Sequence, residues 1–229
     1  MGLDLNSSIS QDRKSTKISA TLKDMSANEF KEFNNEVLGY LQQNNLENMI
    51  SEPSSFRVIF TYMVEAIVNS LLYGLFIGIL LITLIIGLFF RSYLLPALSI
   101  FPNILPIGMG FGLWGLFVGD VGFMVAVGMG STLGVIVDFT VHFLSKYELA
   151  RKEFKKSVEE SVIYSFETVG FALIIMTVVL ALGFSVLNLV TFIPIQDFAK
   201  FSVICFIGGL IINFLFLPNL LMKFDKRKF

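Results

Sequence analysis

Residues 66 to 90 read AIVNSLLYGLFIGILLITLIIGLFF, an unbroken run without a formal charge. At about 1.5 Å of rise per residue, roughly 20 apolar residues cover the hydrocarbon of a bilayer. The run is therefore long enough to cross a membrane as a single helix, and it is the first of five. The others lie near 94 to 118, 121 to 144, 168 to 191 and 199 to 222. Backbone polar groups in lipid find no water and must pair within their own segment, so each run is expected to be helical. Composition points the same way. With 55% apolar residues, 15% charged residues and a mean hydropathy of +0.75, the chain lies outside the range of soluble domains. Between residues 63 and 144 the only formal charges are Glu65, Arg91, Asp120 and Asp138, with the titratable His142 beside them.

The first 60 residues have ordinary soluble composition. Lys17 to Leu22 alternates as a short strand does. Ser26 to Gln42 places Phe30, Phe33, Val37, Leu38 and Leu41 at steps of three and four, the pattern of an amphipathic helix. Asn44, Asn45, Glu52, Pro53 and Ser54 read as a loop, and Phe56 to Phe60 as a second strand. The expected fold is mainly α and polytopic. A small extracytoplasmic α+β segment over 1–60, too short to bury a core alone, precedes a five-helix transmembrane domain over 61–229. Lys146 to Glu167 mixes charges with Phe154, Val158, Val162 and Phe166 at four-residue intervals, which predicts a helix near 146–167 lying on the cytoplasmic surface.

Orientation follows from the lysines and arginines of the short loops. Arg91 follows the first run; Lys146, Arg151, Lys152, Lys155 and Lys156 follow the third; Lys223, Lys226, Arg227 and Lys228 follow the fifth. Alternating helices put all three groups on one side, so the C-terminus is expected in the cytoplasm and the N-terminal segment outside. No signal peptide or earlier span stands ahead of this exported segment, which predicts that the chain belongs to a longer protein.

A formal net charge of −1 gives no basis for nucleic-acid binding. One cysteine, Cys205, and one histidine cannot build a disulfide or a zinc cage, and no phosphate-binding glycine loop is present, so no cofactor or metal is expected. The chemistry concentrates in the third run, where Gly130, Gly134, Asp138 and His142 recur every fourth residue and share one slowly rotating helical stripe. Glycines in such a stripe let another helix approach closely. An Asp at mid-membrane costs about 2.5–3.5 kcal/mol on insertion scales and usually marks a pathway, a partner or a proton relay. Removal from water favours the neutral carboxyl, so Asp138 is able to carry a proton, and His142 is a candidate modulator. Thr168 and Thr177, in the fourth run, are candidates to hydrogen-bond across to Asp138. The second run is interrupted by Pro96, Pro102 and Pro106 and by Gly108, Gly110, Gly112 and Gly115, which predicts a bent helix.

The segment from Gly134 through Asp138-Phe139-Thr140-Val141-His142 to Phe143-Leu144 resembles the Gly-x-x-x-Asp-Tyr-x-x-His-Phe segment of the resistance-nodulation-division superfamily, especially its MMPL and hopanoid-exporter-like branch. Phe90-Arg91-Ser92, Phe101-Pro102-Asn103-Ile104-Leu105-Pro106, Ser145-Lys146-Tyr147 and Pro194-Ile195-Gln196-Asp197-Phe198 are similar to that family in the same order. The resemblance implies the C-terminal membrane portion of a proton-driven exporter of hydrophobic or amphiphilic compounds, lipids included, in the bacterial inner membrane. Residues 1–60 would then be the end of a porter domain. It also implies that Asp138 belongs to a proton relay facing an equivalent Asp on the missing N-terminal half of the transporter; the relay residues expected here are Asp138, His142, Phe139 and Thr177, with Gly130 and Gly134 as helix-packing positions. Where this chain has Phe139 the family often has Tyr, so one relay hydroxyl is absent. The implied partners are protons, substrate, membrane lipids and the other half, with a homo-oligomer also among them. Two other functions share the architecture: a sterol-sensing-domain-like lipid-binding module and a SecDF-type accessory of protein export.

Overall fold

The computed structural model describes residues 9, 10, 12, 14–23, 25, 27–44, 46, 55–119 and 121–227. The chain divides into two compact units, Met1–Thr61 and Tyr62–Phe229. Its helices are α1 (Ala27–Gln43), α2 (Phe56–Phe90), α3 (Leu94–Phe117), α4 (Phe123–Lys152), α5 (Val158–Ser165), α6 (Phe171–Val186) and α7 (Ile193–Phe224). A π-helical turn, Phe166–Gly170, joins α5 to α6, so the two form one rod that ends in the 3-10 turn Leu187–Leu189.

The N-terminal unit departs from the expected α+β pattern. Helix α1 occupies the amphipathic stretch, but among the described residues there is no sheet, only an isolated antiparallel bridge between Ile9 and Thr16. Lys17 to Leu22 is irregular and exposed. A strand is stable only when its N–H and C=O groups pair with a neighbour, and no described strand is there to pair with it. Phe56 to Phe60 is not a strand either, because α2 already begins at Phe56. Those residues continue directly into a helical apolar run, so their backbone groups join its ladder. Asn45 and residues 52–54 of the expected loop lie outside the described residues, as does Asp120.

Among the described residues, five helical segments are long and apolar enough to cross a membrane: Val58–Phe90, Leu94–Phe117, Phe123–Lys152, Val158–Leu189 and Ile193–Phe224. Several are longer than their apolar runs. The stretch read as one surface helix, 146–167, consists instead of two helix ends divided by a turn. Its first part completes α4, and its second begins α5. Ser157 starts the new helix with a reciprocal capping box: its hydroxyl accepts from Glu160 N–H, and the Glu160 carboxylate accepts from Ser157 N–H. Lys155 takes a left-handed φ of 52° in the turn.

Helix α7 is central, packing against α3, α4 and α6. Small residues make this possible. A Cβ on Gly128 of α4 would meet Phe201 at 3.1 Å, and one on Gly209 of α7 would meet Ile136 at 3.0 Å. The core between them holds Ile136, Phe139, Met129, Phe201 and Cys205, all buried. Helix α3 remains helical through Pro102 and Pro106; each proline removes one ladder donor, and packing on two neighbours holds the rest. By contrast, most of the apolar surface of α2 is open, from Leu72 and Phe76 to Leu88 and Phe89.

Candidate functional site

Asp138 lies near the middle of the 30-residue α4, roughly 22 Å from its start at 1.5 Å per residue. His142 is one turn further on, and its Nε2 stands 3.4 Å from Asp138 Oδ1. Both side chains are about half exposed, at 51% and 54%, and that exposure locates the site. The stripe Gly130, Gly134, Asp138 and His142 faces away from the helices of its own chain. A Cβ added to Gly130 or Gly134 would meet nothing within 4 Å among the described residues. The close approach that small residues permit within this chain is made at Gly128 and Gly209, one face over.

The other two expected relay residues lie elsewhere. Phe139 is fully buried, packed with Val169 and Leu173 and against Gly209. The Thr177 hydroxyl is buried and donates to the Leu173 carbonyl one turn back at 2.8 Å, and Thr168 donates likewise to Tyr164 at 2.6 Å. Both threonines thus use their hydroxyl on their own helix. The structure brings Asp138 and His142 together and places Phe139 and Thr177 in the core.

Two polar groupings were not apparent from the one-dimensional pattern. The first lies behind Asp138. Thr140, two residues on and about 200° around the helix, points into the bundle. Its Oγ1 is 2.7 Å from Asn103 Oδ1 of α3 and 2.8 Å from Asn213 Oδ1 of α7. All three residues are essentially inaccessible. Asn213 also donates through Nδ2 to the Gly209 carbonyl at 3.0 Å, which fixes its oxygen toward Thr140. A hydroxyl has one proton to give, and Thr140 Oγ1 also lies 3.3 Å from the Ile136 carbonyl of its own helix, so it donates to one of these three oxygens at a time. The only sequence signal was that each of the three polar residues interrupts an apolar run.

The second grouping ties the C-terminal ends of α4 and α7. Arg227 makes a two-pronged pair with Glu148 at 3.0 and 2.9 Å and reaches Asp225 at 2.8 Å. Tyr147 donates to Asp225 at 2.6 Å, and Arg151 donates to the Arg227 and Lys156 carbonyls. Lys152 pairs with Glu148 at 2.9 Å and caps the Phe90 carbonyl of α2 at 3.0 Å. Burial works against a charged Asp225, but hydrogen bonds from Arg227 and Tyr147 outweigh it and hold the carboxyl at about 2. In the sequence alone, Arg151, Lys152 and Arg227 bear only on orientation. Their pairing depends on α7 returning beside α4, which no local pattern encodes.

Among the described residues, five apolar helices of spanning length, one carrying a stripe with Asp138 and His142, define a multi-pass membrane protein. The chain matches the MMPL family model over residues 5–222, and it belongs to that family. No curated protein matches it. Family and architecture together make it a transporter-type membrane protein.

Proposed function

We propose that this chain is the C-terminal membrane portion of a proton-motive-force-driven exporter of the resistance-nodulation-division type. Its substrates are hydrophobic or amphiphilic compounds, lipids among them. In this reading it sits in the bacterial inner membrane with its N-terminal segment outside and its C-terminus in the cytoplasm. Asp138 takes up and releases the driving proton, and His142 modulates that exchange.

The observation that supports this reading is the outward face of α4, where an acid and an imidazole 3.4 Å apart continue a line of open glycines. Acyl chains cannot solvate such a pair, and a helix of another transporter half, packed over Gly130 and Gly134, supplies the partner groups it lacks. When Asp138 binds a proton its charge disappears and the balance between two packings of that seam changes; release of the proton restores it. Family membership supports the transport step, and the single mid-span carboxylate supports proton coupling.

The test is export by the transporter that carries this chain, measured with and without a proton gradient. Asp138→Asn is expected to reduce gradient-dependent export to the level of cells without the transporter while leaving its amount in the membrane unchanged. Undiminished gradient-dependent export by this variant overturns the mechanism, and saturable lipid binding with no pH dependence would favour a sensing module.

A further inference from the structure

We infer that Thr140, held between Asn103 and Asn213, is the positioning residue that sets the rotation of α4 and so keeps Asp138 and His142 on its outward face; this rests on the relay reading of Asp138. Three observations carry the inference. Thr140 and Asp138 are two residues apart, on nearly opposite sides of the same helix. The Thr140 hydroxyl meets side chains from two other helices at 2.7 and 2.8 Å, and none of the three residues is accessible. In addition, the Asn213 amide is itself oriented by the Gly209 carbonyl, so the node has a fixed geometry.

The energetic argument concerns what holds α4 in rotation. Its apolar contacts, closest where Gly128 meets Phe201 and Ile136 meets Gly209, limit rotation by shape but set no single angle as a hydrogen bond does. Hydrogen bonds are directional. A rotation of even a few tens of degrees stretches both contacts of Thr140 and leaves the Asn103 and Asn213 oxygens without its hydroxyl, in a medium with no water to replace it. Asp138 pulls the other way, since a carboxylate at that depth gains by turning toward polar groups in the bundle. The node opposes this turn at the level of Asp138, and two turns further on the bonds of Tyr147 and Glu148 to Asp225 and Arg227 oppose it at the end of the same helix.

The groups near Asp138 keep the test simple. Its one ion-pair partner among the described residues is His142. Helices α3 and α6 carry no acidic or basic side chain. The other titratable side chains on the surrounding helices include Tyr62, Glu65 and Tyr73 of α2, Glu159, Glu160, Tyr164 and Glu167 of the α5 rod, and Asp197, Lys200, Cys205 and Lys223 of α7.

Two variants of the membrane-reconstituted protein test this. Thr140→Val keeps the shape and removes the hydroxyl, and Thr140→Ser keeps the hydroxyl. A nitroxide on Ser131→Cys, in a Cys205→Ala background, reports the orientation of the α4 stripe through its collision rate with oxygen, and export is followed against pH. Thr140→Val is expected to change the nitroxide's oxygen accessibility, to shift the pH of half-maximal export and to lower export about threefold to tenfold, the equivalent of one net hydrogen bond. Thr140→Ser is expected to restore all three. A Thr140→Val protein with wild-type accessibility overturns the inference whatever its export does, and so does a changed accessibility with an unmoved pH profile. If Thr140→Val does not reach the membrane, Asn103→Leu removes one arm of the node and is read in the same way. Should Asp138→Asn export normally, the relay reading falls, while the nitroxide still decides whether Thr140 sets the rotation.

Discussion

At the scale of single residues, the helix contacts of this bundle depend on where a side chain is missing. Gly110 of α3 faces Cys205 and Phe201 of α7, and a Cβ there would lie 2.6 Å from Cys205 Sγ and 3.3 Å from the Phe201 ring. Both neighbours are fully buried and cannot step aside. Gly110→Ala is therefore expected to destabilise the bundle by about 1–3 kcal/mol, the usual cost of overpacking, as a lower melting temperature in detergent. Adding Cys205→Ala should recover part of that loss, because it removes the closest atom. Gly208 offers the contrast: its added Cβ would meet the terminal methyl of Met109, a side chain able to swing away. Equal melting temperatures for Gly110→Ala and Gly208→Ala would contradict this account of the α3–α7 contact.

Among the elements, the rod of α5 and α6 has the least regular backbone. Its π turn, Phe166–Gly170, holds one residue more than an α-helix needs. Val162, Phe166, Val169 and Leu173, at steps of four, three and four, keep to one face through the turn and pack in the core. Phe166 fills the corner, edge-on to Phe143 of α4 at 5.2 Å and to Phe214 of α7 at 5.1 Å. Deleting Thr168, an exposed residue of the turn, should convert it to plain α-helix and keep that face inward, with melting changed by only a few degrees, roughly 1 kcal/mol or less. Deleting Ile174 from regular helix is expected to cost far more. It rotates the chain by about 100°, and either Val169, Gly170 and Leu173 or everything beyond leaves the core. If the two deletions melt alike, the π turn is not the point where the register is adjusted.

For the whole molecule, the ionic grouping at the ends of α4 and α7 makes stability depend on acid. Asp225 is held at about 2 against an ordinary 3.8, so its folded form binds a proton less readily than the unfolded chain. The stability this contributes is present above about pH 4 and is lost as the pH falls toward 2, on the order of 2 kcal/mol in all. Melting followed from pH 5 to pH 2 should show that decline, and Asp225→Asn should flatten it while lowering stability at pH 5. A variant whose pH dependence matches the parent would show that the Arg227 and Tyr147 contacts contribute nothing.

The extent of this fold that could be read from sequence follows from the physics of each part. Apolar runs of spanning length are local facts, and lipid leaves them one backbone solution, so the five helices were determined by the amino-acid order alone. So was the four-residue spacing that sets Asp138 beside His142, because both lie on one helix. The ends of the helices were less accessible: the α4 and α5 extensions are amphipathic, and only the Ser157 cap and the turn at Lys155 divide them. Of the two strands expected before the membrane domain, Phe56 to Phe60 joins the ladder of α2, and Lys17 to Leu22 has no strand to pair with among the described residues. What faces what was decided by tertiary structure alone. Asp138 points outward while Thr140 points inward to Asn103 and Asn213, and Arg227 returns to Glu148 across nearly eighty residues. A hydrogen bond or ion pair between distant segments exists only once their helices have been packed, and packing depends on volumes and angles that no stretch of one chain carries by itself.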